Sequence, residues 1–286
     1  MDFQAIGSIF NILFINPITN VLVGIYQLLL FVHAPYPLGF SIIGLTILIR
    51  LVLYPFTTQQ IRSAHKMQKV APHVAAIKEK HKGDAKQQQA ATMALYKEHG
   101  INPMAGCLPL LIQLPIIWSL YNVLTHVVNT DPNTLKSINK VLYFPWLHIN
   151  QADWNVYFFG ILLSSTPAKL IASNPLFLLI PLVTGLLQFI LSKMMLPHPD
   201  DVVKKEKGKD SSKKTAKSDD FQTAFQNQSL FIFPIMIAFF SYNLPLGLSL
   251  YWNTFTIFGI IQQYLIVGAG GAHPWFKKIN LHGRKH

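Results

Sequence analysis

The chain has one cysteine, Cys107, so no internal disulfide framework holds it together, and within its apolar run a buried thiol is the ordinary expectation. Charge is scarce as well. Asp, Glu, Lys and Arg make up 13% of the residues against 51% hydrophobic, and the apolar residues gather in blocks long enough to span a bilayer. That pattern argues against a soluble domain and for an integral membrane protein. There is no Gly-rich phosphate loop, no paired carboxylate within an apolar block, no histidine pair at metal-ligand spacing within a span, and no activating partner in the motif around Cys107. An enzyme is therefore not expected, and neither is a cofactor or a metal. The N-terminus lacks the basic region of a secretory signal and the arginines of a transit peptide, so no cleaved targeting segment is expected. Acidic residues are half as numerous as basic ones, leaving a net charge of +12. In a chain with several spans such an excess reports topology and contact with anionic lipid more readily than nucleic acid.

Within this apolar background, residues 38–56 form a span whose one charge is Arg50. Its aliphatic and aromatic side chains supply on the order of 4 to 7 kcal/mol of insertion energy, against about 2.5 to 3.5 for one central arginine. The segment can insert despite the charge. Arginine cannot shed its proton, so it must find water, an anion or polar neighbours.

Read in order, residues 1–37 carry Asn16, Asn20, Gly24 and Gln27 at helical spacing, with Ile18, Val21, Leu22, Ile25 and Leu28 largely on the other side. This favours an amphipathic helix in the outer interface, with a further span as the alternative. Residues 57–103 turn abruptly polar and read as a cytoplasmic helical hairpin, with Pro72 interrupting its first arm and the turn at Lys82, Gly83 and Asp84. Residues 104–128 form a second span that contains Pro109, Gln113 and Pro115. An outer loop over 129–174, with Trp146, Trp154 and Tyr157, leads to a third span over 175–195 that contains Gln188. Residues 196–228 form a basic, largely disordered cytoplasmic loop, followed by spans over 229–245 and 246–267 and a basic tail over 268–286. The last two spans meet at Pro245 and Gly247, so they are expected to be antiparallel neighbours.

Setting Arg50 aside, Lys and Arg number 8 in 57–103, 3 in 129–174, 8 in 193–228 and 4 in the tail. Rich and poor loops alternate, which places the hairpin, the basic loop and the C-terminus in the cytoplasm and the N-terminus outside. Arg50 then lies roughly 9 Å from the cytoplasmic end of its span, at 1.5 Å per residue. One reading is simple snorkelling toward the headgroups. Against it, Thr46 lies one turn away, and Gln113, Gln188 and Asn253 place a hydrogen-bonding group in each of three other spans. Together they favour a hydrated pocket around a fixed positive charge.

Ordered motifs run through the chain: Ile49-Arg50 and Tyr54-Pro55; Ala94-Leu95-Tyr96-Lys97 and Asn102-Pro103; Gly106-Cys107-Leu108-Pro109-Leu110-Leu111-Ile112-Gln113-Leu114-Pro115; Pro245-Leu246-Gly247-Leu248; Leu250-Tyr251-Trp252; Gln262-Gln263. In these the sequence resembles the YidC/Oxa/Alb membrane protein insertases over about residues 11–268. Its length, its five spans and its lack of a large outer domain are similar to the shorter bacterial form. It differs from lipoprotein members in having no N-terminal cysteine, and its 129–174 loop is longer than usual. The resemblance implies an all-α fold of five transmembrane helices around a hydrophilic groove, with an N-terminal interfacial helix and a cytoplasmic hairpin, in the bacterial plasma membrane.

It also implies a function without covalent chemistry. The polar, often acidic segment of a nascent membrane protein enters the groove while its hydrophobic segment slides into lipid. Arg50 is implied as the attracting charge, with Thr46, Gln113, Gln188 and Asn253 holding water and Tyr251 and Trp252 offering an apolar wall. Implied partners are nascent membrane proteins and the lipid bilayer, then the ribosome, the signal recognition particle with its receptor, and the Sec translocon. No specific small-molecule ligand is implied. Two other readings stay open on the residues alone: a small-molecule transporter or channel, though no internal repeat is visible, and an assembly chaperone that does not itself insert.

Overall fold

The computed structural model describes residues 3–102, 108–127, 132–150, 154–196 and 218–274. Cys107, the lysines of 197–217 and the tail from residue 275 lie outside the described residues. The described chain is almost wholly helical, with one antiparallel hairpin of two short strands. It forms two units: Met1–Val52, Leu110–Leu186 and Met236–Phe258 in the first, and Leu53–Pro109, Leu187–Ile235 and Gly259–His286 in the second.

In the first unit, α1 (Phe3–Phe10) runs through a π-helical stretch (Asn11–Ile15) into α2 (Asn16–Phe31). Pro17 has no N–H to offer the Leu13 carbonyl, and the backbone before it widens so that the Asn16 N–H donates to Asn11 O. Helix α2 ends with Ala34 N–H donating to Leu29 O at 2.8 Å and His33 N–H to Leu30 O at 2.9 Å. His33 sits at φ 54, the left-handed position of this termination. Helix α3 (Pro37–Val52) packs against α2, burying Leu22, Val23 and Tyr26 of one and Leu38, Ile42 and Leu45 of the other. It stops at Val52 because Pro55, two residues into the next helix, cannot continue the hydrogen-bond ladder.

The polar stripe of α2 is met by the segment that follows α6 (Leu108–Val127). Asn20 Nδ2 donates to Val141 O at 2.8 Å and its Oδ1 accepts the Tyr143 N–H at 2.6 Å. Gln27 Nε2 donates to His148 O at 3.1 Å, and Gly24 faces Leu147. The Tyr26 hydroxyl accepts the Asn155 N–H at 2.7 Å while its ring packs on Trp154, 4.4 Å between centroids. The spacing that suggested a headgroup-facing surface is therefore largely spent on the chain's own residues 139–155.

The same segment, with α7 (Pro132–Val141), β1 (Tyr157–Phe158), β2 (Ile161–Leu162) and α8 (Pro167–Leu170), reaches two more helices. Phe159 and Gly160 turn the hairpin with φ of 47 and 78. Phe158 lies on Gly39 of α3 so closely that an added Cβ would come within 2.0 Å of the ring. Leu163 O and Ser165 O accept the Gly247 and Leu246 N–H groups, both at 2.9 Å, which satisfies donors at the start of α11 (Leu246–Val267). A buried hydroxyl chain joins α9 (Leu179–Met194), α10 (Ser218–Asn243) and α11: Thr184 to Ser241 at 3.2 Å and Ser241 to Ser249 at 2.9 Å.

In the second unit, α4 (Tyr54–Lys80) and α5 (Ala85–Glu98) pack against each other. Gly83, at φ 97, makes the turn, and Asp84 caps α5 by accepting the Gln87 N–H at 3.0 Å. Pro72 was expected to interrupt the first arm, yet α4 runs through it. With 27 residues of helix around it, the proline costs the helix one internal hydrogen bond without ending it.

By length and apolarity, two described helical stretches can cross a membrane, Gly7–Phe31 and Pro175–Met194. The pair Pro37–Val52 and Tyr54–Lys80 qualifies as a third when counted as one interrupted span, and Leu230–Asn243 is apolar but shorter. Helices α6 and α11, 20 and 22 residues long, have the reach of a span.

Asn20→Ala removes two buried pairings between α2 and the 139–155 segment. It is expected to destabilise the detergent-solubilised protein by about 1 to 3 kcal/mol in equilibrium or thermal unfolding. Val21→Ala, on the exposed side of the same helix, is expected to change stability by less than about 0.5 kcal/mol.

Candidate functional site

The site is built where the end of α3 meets the middle of α11. Arg50 lies in the last turn of α3 and is 6% exposed. Its Nη2 donates to Phe255 O at 2.6 Å, and its guanidinium lies over the Phe255 ring, 3.5 Å from the centroid, with Phe258 at 5.8 Å. A desolvated contact of this kind is worth about 2 kcal/mol, enough to offset part of the cost of removing the cation from water. Tyr251, Phe255 and Phe258 stand at i, i+4 and i+7, so one face of α11 is an aromatic bed for the arginine. Tyr251 and Phe255 stack with centroids 5.9 Å apart.

Arg50 is only partly satisfied there. Guanidinium carries five N–H donors, and Nε is buried with no hydrogen-bond partner among the described residues. Nor is a carboxylate available within the apolar helices: no acidic residue lies between Asp2 and Glu79, between Glu98 and Asp131, between Asp153 and Asp200, or after Asp220. Leaving buried polar groups unpaired is costly, so such groups point to water or a bound segment as their complement. Four further groups on α11 share the condition: Trp252 Nε1, Asn253 Oδ1, Thr256 Oγ1 and, farther along, Gln262 Oε1.

The seven residues singled out from sequence divide. Arg50, Gln113 and Tyr251 come together, since Gln113 Nε2 of α6 donates to the Tyr251 hydroxyl. Thr46 is fully buried on the same helix as Arg50, but its hydroxyl donates to Ile42 O at 2.6 Å and so is turned into its own backbone. Tyr251, Trp252 and Asn253 are consecutive, and successive helical side chains diverge by 100°, so they cannot share one wall. Tyr251, 1% exposed, belongs to the bed beneath Arg50. Trp252 and Asn253 are half-buried. Gln188 is half-buried on α9 and falls in the second unit. Phe255, Phe258 and Thr256 were not singled out from sequence. The aromatic i, i+4, i+7 spacing on α11 was the signal that could have found the first two.

The sequence profile of the 60Kd inner membrane protein family matches residues 30–270. A Fusobacterium nucleatum protein named membrane protein insertase YidC is 31% identical over 233 residues, covering 81% of this chain and 87% of that protein. A protein of Halalkalibacterium halodurans named membrane protein insertase YidC 1 is 29% identical over 252 residues, covering 86% and 77%. The chloroplastic inner membrane protein ALBINO3 of Arabidopsis thaliana is 30% identical over 252 residues, but the chain spans only 49% of its length. In fold, the chain is similar to a crystal structure of an active YidC insertase with its first transmembrane domain resolved. That match has a TM-score of 0.53 at 24% identity and covers 86% of this chain and 45% of the crystallised one.

The bed under Arg50 is tested by a double-mutant cycle. Arg50→Met and Phe255→Leu, alone and combined, are expected to show a coupling of about 0.5 to 2 kcal/mol in the unfolding free energy of the solubilised protein. Strictly additive losses would mean that the ring does not hold the cation.

Proposed function

The chain belongs to the 60Kd inner membrane protein family, and from that premise we propose that it is a membrane protein insertase whose polar groove is organised around Arg50. The observation that carries the proposal is the buried, under-satisfied guanidinium in helices without a carboxylate. A positive charge in that condition attracts an acidic or strongly polar stretch of polypeptide. In the proposed cycle, the tail of a nascent membrane protein pairs with Arg50. Its hydrophobic segment meanwhile partitions into lipid alongside. Gln113 holds Tyr251 and thereby the aromatic bed. Nothing in this scheme breaks a covalent bond, so no enzymatic step is assigned.

The architecture that accompanies this reading has five spans in the bacterial plasma membrane, the N-terminus outside and the 57–103 hairpin, the 196–228 loop and the C-terminus in the cytoplasm. Support comes from the alternation of Lys/Arg-rich and Lys/Arg-poor segments. The N-terminal helix is left with two placements, interfacial as its residue spacing suggested, or spanning as the length and apolarity of Gly7–Phe31 permit. On the cytoplasmic side, the basic segments suit contact with the ribosome, the signal recognition particle and its receptor, or the Sec translocon, with anionic lipid as the competing surface.

Reconstitution into vesicles with a single-span substrate, scored by protease protection of its translocated tail, tests the proposal. Loss of an attraction of about 1 to 2 kcal/mol corresponds to a fall of roughly five- to thirtyfold in insertion for Arg50→Ala with an acidic tail. Arg50→Lys should retain most of the activity, and a neutral tail should be much less sensitive. Equal losses for Ala and Lys would assign Arg50 a role in shape. Solute flux through vesicles that hold no substrate would favour a transporter instead.

A further inference from the structure

Two glutamines near the end of α11, Gln262 and Gln263, have no part in the groove, and the second unit shows what they hold. Gln262 is 1% exposed, and its Nε2 donates to Thr57 Oγ1 at 2.6 Å, in the first turn of α4. Gln263 is 6% exposed, and its Nε2 donates to Met194 O at 3.4 Å, at the end of α9. From about four turns into α4, Gln68 Nε2 donates to Met195 O. The Gly271 N–H, just past α11, donates to Leu196 O at 2.9 Å.

Three successive carbonyls, that of Met194 at the end of α9 and those of Met195 and Leu196 just past it, thus receive donors from other elements. A helix leaves its last four carbonyls without internal partners and carries partial negative charge at that end. Helices commonly meet this need with a glycine just past the terminus. Here the Met195 and Leu196 N–H groups close the last turn locally on Leu191 O and Lys193 O, at 3.1 and 3.2 Å, and donors from other elements serve Met194 O and the two carbonyls past it. Gly270 supports the same close approach from another direction. It sits at φ 49, and a Cβ there would lie 2.0 Å from Met194 O, so only glycine lets the backbone after α11 come so near.

We propose that Gln68, Gln262 and Gln263 are positioning residues: an amide collar in which Gln263 and Gln68 hold the carbonyls at and just past the end of α9 and Gln262 holds the first turn of α4, fixing the base of the α4–α5 hairpin to the ends of α9 and α11. The collar is a latch because two of its members, Gln68 and Gln263, are long side chains bordering a cavity of about 260 Å³, lined among others by Ile61, His65, Met194 and Val267. That space lets Gln68 and Gln263 leave their carbonyls without a steric clash. Each bond is single and neutral, so the hairpin is held but can be released. That the hairpin's position matters for insertion rests on the function proposed above, whereas the collar itself does not.

The test uses the full chain in nanodiscs, with Cys107→Ser and a spin label at Lys82→Cys in the hairpin turn. Gln68→Glu and Gln263→Glu keep side-chain size, remove the donor and place negative charge against a carbonyl. Each is expected to shift the label toward its mobile component by roughly three- to tenfold, the effect of losing one hydrogen bond. Gln68→Arg restores a donor at a helix C-terminus and should return the label to its wild-type state, which a role in filling space would not explain. Far-UV circular dichroism checks that helix content is retained, and Gly270→Ala provides an independent route to the same loosening. Unchanged label mobility in both glutamate variants overturns the collar. Insertion assays on the same proteins separate the two claims: a wild-type chain that inserts nothing sinks the insertase reading, while the label still decides the collar.

Discussion

A single charge that cannot be discarded governs the first unit. Arginine stays protonated under any condition in which the protein folds, and Arg50 is set among helices in which the sequence provides no carboxylate. An ion pair would have satisfied the charge permanently and left nothing for a substrate to do. The protein instead gives the guanidinium one carbonyl and an aromatic face, partners that lower its burial cost without cancelling its charge. The residual field is what a polar, acidic segment would encounter.

Other polar groups in this unit fall into two sets with different treatment. Those met by residues 139–165 are paired: both functional atoms of Asn20, the Tyr26 hydroxyl, the N–H groups of Leu246 and Gly247, and nearby the Thr184–Ser241–Ser249 chain. Those farther along α11 are not: Trp252 Nε1, Asn253 Oδ1 and Thr256 Oγ1 lack partners among the described residues. Because an unpaired buried polar group costs more than a made hydrogen bond gains, satisfaction at one end and omission along α11 mark different duties. The first fixes the helices against one another. The second leaves donors and acceptors for something that comes and goes.

How far this could be read from residues follows the type of signal. Arg50 was visible because a lone charge in an apolar run breaks a strong pattern, and Gln113 because a glutamine between two prolines does the same. Tyr251 was visible only within a motif, and its position beneath the arginine required the helix to be built. Thr46 shows the limit of spacing: it shares a face with Arg50, yet a threonine in a helix can donate to the carbonyl four residues back, and this one does. Asn20 and Gln27 show another limit. Periodicity revealed a polar stripe on α2, but whether a stripe meets headgroups or another part of the chain depends on a contact more than 100 residues away, which no local pattern encodes. Pro72 looked like a break because proline costs a helix hydrogen bond, but a long helix outlasts that cost.

The two readings of a buried arginine, substrate attraction and anion passage, can be weighed on the same structural facts. Alternating access needs an element that opens on each side in turn, commonly built from repeats that rock against each other. Residues 139–165 instead tie α2, α3 and the start of α11 together with buried hydrogen bonds and the Phe158–Gly39 contact, and opening that end would break several of them at once. At about 1 kcal/mol each, with more for every buried group stranded, such an opening would be rare without a strong driving ligand. An insertase needs no such opening. It asks only that a polar segment be held by about 1 to 2 kcal/mol, an occupancy bias of roughly five- to thirtyfold, and then released when its apolar neighbour has found lipid. In the role proposed for it, one arginine on an aromatic bed supplies an attraction of that size, whereas a cluster of cations would bind the segment too tightly to let it go.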